Sequence, residues 1–293
     1  MELLLQILGT VVLRPYFVAF FLAYFLACSL HLGVLRAIIF AIAGYAIAWL
    51  SEFSSIHCGF PYGYYYYIEA TRGRELWVLG VPFMDSMSFV FLSYASYSLA
   101  LMAVSPLIRL GGIYVLENRK IRYSLSVRLL GALFFVCLDI IIDPVALKGD
   151  RWFLGLIYGY REAGAYFGIP VSNFLGWLLV GVVLIHTLQM IDRFLYRKGV
   201  KDTLGRGCSW RYLPGPLLYL GILAFNLAVT FWIGEYRLFW SGVLFVVLPL
   251  TLLIVLTQSK ARKFGIAAAR ENHIRDFPGT AGLKAGSLIF EKR

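Results

Sequence analysis

Residues 127–147 read VRLLGALFFVCLDIIIDPVAL, a run of bilayer-spanning length that nevertheless carries two carboxylates, Asp139 and Asp143. About 20 apolar residues in a helix cross roughly 30 Å of hydrocarbon. Residues four apart share a helix face, so both carboxyls address one space, with Asp143 about 6 Å nearer the helix end at 1.5 Å per residue. A carboxylate in hydrocarbon costs a few kcal/mol or more, so it faces a cavity or a partner.

Six further segments of similar character surround this one: Pro15–Leu32, Val34–Phe53, Val81–Leu107, Asn173–Leu195, Gly215–Gly234 and Leu238–Gln258. Leu3–Leu13 is apolar but too short to cross alone; it either extends the first helix through a kink at Pro15 or lies in the interface. Of the 293 residues, 60% are hydrophobic and 15% charged, which excludes an ordinary soluble domain, where about a quarter of residues are charged. The fold class expected is all-α, a polytopic transmembrane bundle of about seven spans over residues 1–258, with a basic, partly disordered tail at 259–293.

The net charge of +11 does not point to nucleic acid, because the basic residues fill the gaps between spans. Twenty of the 27 Lys and Arg fall on one side, and twelve against seven remain when the tail is set aside. By the positive-inside rule the chain runs N-out, C-in. The expected location is a bacterial inner membrane. Cys28, Cys58, Cys137 and Cys208 stand singly, without metal or redox spacing. The start of the chain lacks a basic segment and a cleavage site, so no leader is expected to be removed.

Four acidic residues fall within or at the mouths of the spans: Glu52, Asp85, Asp139 and Asp143. Glu52 closes the second span, Asp85 opens the third, Asp143 closes the fourth before Pro144, and Asn173 opens the fifth. The topology brings all of them to the outer ends of their helices, near one leaflet. Two close carboxyls in low dielectric resist double ionisation, which leaves one protonated and able to act as a general acid. The competing structural reading pairs Glu52 with Arg72 or Arg74, and Asp143 with Arg151.

The two outer connections are aromatic. His57-Cys-Gly-Phe-Pro-Tyr62-Gly-Tyr64-Tyr-Tyr-Tyr67 joins the second and third spans; Trp152, Tyr158, Tyr160, Tyr166 and Phe167 precede Gly168-Ile-Pro170 and Trp177. Such rings serve as headgroup anchors, or as a lid that attracts a carbocation by about 0.5–2 kcal/mol per ring. His57 either relays protons or is structural. With His31, His186 and His273 it forms no metal-ligand pattern, and no metal or cofactor is expected.

These residues form an ordered set: Glu52-x4-His57-x-Gly-Phe-Pro-Tyr-Gly-x-Tyr, Gly80-Val-Pro82, Asp139-x3-Asp143-Pro144, Trp152, and Tyr166-Phe-Gly-Ile-Pro-Val-Ser-Asn-Phe-Leu-Gly-Trp177. The set resembles carotenoid biosynthesis membrane proteins of the CruF type, which include carotenoid 1,2-hydratases and bisanhydrobacterioruberin hydratases. The resemblance covers Glu52 to Trp177 and implies cofactor-free hydration of a terminal isopropylidene bond of a membrane-dissolved carotenoid or polyprenoid. It implies Asp139, Asp143, Glu52 and His57 as catalytic groups, to which the placement of Asp85 at the same level adds a further carboxyl, and Tyr62, Tyr64, Trp152, Tyr166, Phe167, Asn173 and Trp177 around the substrate. After Pro82 the family run continues apolar, whereas Phe83-Met-Asp85-Ser-Met-Ser adds a carboxyl and hydroxyls, leaving room for another polyprene or an oxygenated lipid.

Two other classes fit parts of the pattern. A magnesium-dependent prenyltransferase uses aspartate-rich motifs, but needs two of them with basic partners. A proton-coupled lipid transporter uses buried carboxylates, usually with inverted repeats, which this chain does not show.

Overall fold

The computed structural model describes residues 1–109, 113–201, 209–263 and 266–277. Arg206, Cys208 and the tail beyond residue 277 lie outside the described residues, as do the side chains of Lys260, Arg262 and Lys263. The protein is an all-α bundle with three small two-stranded sheets at its ends. Among the described residues six helices are long and apolar enough to cross a membrane, and a bent pair supplies a seventh element. That pair is α1 (Glu2–Leu13) and α2 (Pro15–His31), which meet at 92°. Pro15 has no N–H to continue a helix ladder and suits the first position of a new one, so the chain breaks at Arg14. Leu3–Leu13 therefore turns away from the first span.

The remaining spans are α3 (Val34–Cys58), α4 (Phe83–Val104), α6 (Leu125–Ala146), α7 (Val171–Arg197), α8 (Pro214–Trp232) and the continuous stretch formed by α9 (Tyr236–Gly242), a π turn and α10 (Leu248–Lys263). Short α5 (Arg119–Arg122) precedes α6, and α11 (Ile266–Asp276) follows the last span. Part of the segment expected to be disordered is thus a helix.

Helix α4 is the axis of the bundle: Phe89–Leu101 is buried on every side, packed by α2, α3, α6, α7 and α8. An all-round apolar helix belongs in such a place. Within it Ser93 donates back to Val90 O and Ser96 to Leu92 O on the preceding turn. Gly181 lets α7 close on α6, since a Cβ there would stand 3.3 Å from Ala132 Cα and 2.9 Å from Phe135; small residues commonly permit such approaches between membrane helices.

The two aromatic connections are not separate loops. Strand β1 (Tyr65–Tyr67) pairs antiparallel with β6 (Tyr158–Tyr160), matching Tyr65 to Tyr160 and Tyr67 to Tyr158. Between them in sequence, β2 (Trp77–Val78) and β3 (Val81–Pro82) form a hairpin whose turn, Leu79-Gly80, has positive φ at both positions, as a type I′ turn requires. The third pair, β4 (Leu107–Arg109) with β5 (Ile113–Val115), sits at the opposite end of the bundle.

Candidate active site

Beneath the β1–β6 lid lies a cavity of about 140 Å³, walled by α2, α3, α4, α6, α7 and α8. Glu52, Asp85 and Asp143 all line it, together with Asn173, Tyr62, Trp152 and Trp177. The expected convergence of helix ends is therefore present. Asp139 is fully buried but sits behind the wall, one turn below Asp143.

The Asp143 wall is built by three donors. Tyr158 donates to Oδ1 and Tyr160 to Oδ2, each at 2.6 Å, the range of a charge-assisted O–H···O bond. Asn173 Nδ2 bridges the two aspartates, 2.9 Å from Asp143 Oδ2 and 2.8 Å from Asp139 Oδ2. Asp139 Oδ1 is buried and has no hydrogen-bond partner among the described residues. Asn173 reaches both because α7 starts beside the end of α6, and Gly176 lets α7 touch the turn between α3 and β1: a Cβ there would stand 2.7 Å from Pro61 O.

The facing wall is built from α3 and α4. Tyr67 donates to Glu52 Oε1 at 3.0 Å, and Ser86 donates to Oε2. Asp85 is partly exposed in the first turn of α4, where the helix dipole favours a negative charge. Burial, and after it the nearby carboxylates, push the phenols of Tyr67, Tyr158 and Tyr160 well above the usual tyrosine value. They remain donors at any physiological pH.

The alternative pairings do not form. Arg72 binds Glu69, and Arg151 binds Glu235. Arg14 is buried in a two-point pair with Glu75, 2.9 and 3.0 Å, and also donates to Leu154 O. Among the described residues, the side chains that donate to Glu52, Asp139 and Asp143 are neutral: Tyr67, Ser86, Tyr158, Tyr160 and Asn173.

Four expected residues stand apart from the cavity. His57 is exposed at the end of α3, its ring 4.2 Å from that of Phe53 and its Nδ1 2.7 Å from Phe53 O. Tyr64 is 47% exposed beneath Arg161. Alternation along β1 turns Tyr65 and Tyr67 inward and Tyr66 outward. Tyr166 and Phe167 meet edge to face at 4.9 Å beside the positive-φ turn Phe167-Gly168, and neither lines the cavity.

Sequence reasoning passed over Tyr65, Tyr67, Tyr158 and Tyr160 as individual site residues, because strand pairing between distant loops was not legible. It also passed over Asn226, which lines the cavity from α8; a lone asparagine in the apolar run Pro214–Trp232 was the available signal. The count of intramembrane acids needs a correction too. Asp192, on α7, is buried, and with buried Glu117 it joins an ion-pair cluster at the other end of the bundle.

The sequence profile described as carotenoid biosynthesis protein matches residues 1–249, well beyond the motif-bearing segment. A bisanhydrobacterioruberin hydratase of Haloarcula japonica is 32% identical over 202 residues, which cover 66% of this chain and 58% of that relative, under two thirds of its length. No solved structure matches.

Proposed function

Because this chain belongs to the carotenoid biosynthesis protein family, we propose that it is a membrane-embedded hydratase, adding water to a terminal isopropylidene double bond of a carotenoid or related polyprenoid. The observation that carries this reading is one aromatic cavity with carboxyl groups on two facing walls, each held by neutral donors.

Hydration of an unactivated trisubstituted alkene begins with proton transfer to the less substituted carbon, leaving a tertiary cation. Asp143 faces the cavity, and Asp139 lies against it through the shared Asn173 nitrogen. Two carboxylates bridged by one amide, without a hydrogen-bonded cation, hold one proton between them more readily than none. Asp143 delivers that proton, and Asp139 is its reserve. The cation then sits among the rings of Tyr62, Phe89 and Trp177, which line the cavity and attract positive charge. Glu52 takes the proton of the attacking water, so the hydroxyl ends on the tertiary carbon and the proton count closes. Asp85, partly exposed, returns the proton from the aqueous side. The reaction is redox-neutral and asks for no cofactor. The Lys and Arg distribution supports placing this end of the bundle in the outer leaflet of a bacterial inner membrane.

The test is expression in cells that make acyclic carotenoids, with mass spectrometry of the pigments. The expected product gains one water at an end group, and its oxygen carries label when cells grow in heavy-oxygen water. Unchanged pigments across carotenoids with isopropylidene ends would overturn the reading. Product formation in detergent, where no ion gradient exists, separates it from transport.

A further inference from the structure

The cavity is far smaller than the substrate class proposed for it. About 150 Å³ of apolar cavity accommodates a benzene molecule, so about 140 Å³ takes the end group of a polyprenoid and little more. The rest of the chain must leave the cavity while its end touches Asp143.

The partly exposed residues of the wall fall mainly into two groups. One is polar and lies at the lid: Tyr67, Asp85, Tyr158 and Tyr160. The other is apolar and lies in the seam between α2 and α8: Tyr16, Phe20, Trp152 and Phe225. Phe225 is the centre of the second group, stacked on Tyr16 at 5.6 Å and set edge-on to Phe20 at 5.5 Å. These rings line the cavity, are each partly exposed, and fill the contact between α2 and α8. Small residues are exposed on the same two helices: Ala19 and Ala23 on α2, and Gly221, one turn before Phe225, on α8. A Cβ added at Gly221 would meet no atom within 4 Å.

Resting on the hydratase reading, we propose that the α2–α8 seam is the lateral portal of the site: the occupant is the substrate's own extended hydrocarbon chain, which threads between Tyr16, Phe20 and Phe225 into the bilayer. The commitment to this occupant follows from continuity with the cavity, the cavity's size, and ring faces suited to a flat conjugated chain. The lid group then serves water and protons, and the two traffic streams do not cross.

Gly221→Trp places a large ring over the seam without disturbing the carboxyl walls, and Val183→Trp on the lipid face of α7 is its control. Each is assayed on a long acyclic carotenoid and on a two-isoprene alkene with the same isopropylidene end. The expected result is a loss of at least about tenfold in kcat/KM for the long substrate in Gly221→Trp, with the short one unchanged and Val183→Trp normal on both. Unchanged turnover of the long substrate, equal losses on both substrates, or an equal loss in Val183→Trp would overturn the portal. A second measurement needs no turnover. A diazirine-bearing linear polyene, photolysed in proteoliposomes, should label α2 and α8 peptides in preference to α3 and α7; labelling spread evenly over the lipid face would sink the proposal. If the wild type hydrates neither alkene while the labelling is confined to α2 and α8, the hydratase reading fails and the portal stands.

Discussion

The acids around the cavity and those buried at the far end of the bundle are treated in opposite ways, while Glu75, paired with Arg14 near the lid, follows the far-end pattern. At the end near α5, Arg36 donates to Asp192 at 2.5 Å, Arg122 reaches Asp192 at 3.1 Å and Glu117, and His31 stands 3.2 Å from Glu117. Helix α11 closes over this cluster, with His273 Nδ1 2.6 Å from Glu117 O and Asp276 accepting from Arg119 N. Every carboxylate there meets a guanidinium, so its charge is fixed and its proton gone. At the lid end Glu52, Asp139 and Asp143 meet phenols, a serine hydroxyl and an amide. Neutral donors satisfy a carboxyl without cancelling its charge, which leaves it able to take or give a proton. Burial alone does not distinguish a structural acid from a chemical one; the charge of its partner does.

The sharpest test exchanges a carboxyl for an amide at each end. Asp143→Asn keeps the shape and the Tyr158 bond but cannot deliver a proton, so kcat should fall by about 10²–10⁴-fold while the melting temperature in detergent moves little. Asp192→Asn should do the reverse. It leaves Arg36 and Arg122 without a full counter-charge in a buried place, which costs about 3–5 kcal/mol, while each molecule that remains folded turns over normally. Equal damage to activity and stability in both variants would erase the distinction between the ends.

Much of this layout was legible in the residues. Asp139-x3-Asp143 on a long apolar run fixed a helix with two inward carboxyls, and the ends of the spans holding Glu52, Asp85 and Asn173 followed from topology. The motif around Asn173 also identified the family. What sequence could not reveal were relations between distant segments. Pairing of β1 with β6 decides which tyrosines of Tyr64–Tyr67 face inward, and the register appears only when both strands are placed. The family motif Glu52-x4-His57 implies a chemical role for His57, but the five-residue offset turns it to the outside of α3. Asp192 is absent from the four acids read from the sequence, and its partners Arg36 and Arg122 come from other helices.

The smallest effect expected is a pH dependence that assigns one limb to each end. For Glu117, burial by itself would raise the carboxyl, but Arg122 and His31 outweigh it and hold the group well below the usual carboxylate range. A depressed folded value contributes stability above the unfolded value of about 4.3, and that contribution fades as pH falls through the folded value. For Tyr158 and Tyr160 the sign reverses. Their phenols are raised by burial and by Asp143, so their contribution is complete below the unfolded value of about 10 and is lost as pH rises beyond it. Melting temperature in detergent should therefore be flat near neutrality, bend down below about pH 4.3 and bend down again above about pH 10. Glu117→Gln should flatten part of the acid limb alone, and the Tyr158→Phe, Tyr160→Phe double variant part of the alkaline limb alone. If either substitution moved the limb belonging to the other end, the two clusters would be coupled through α4 and α6 rather than independent.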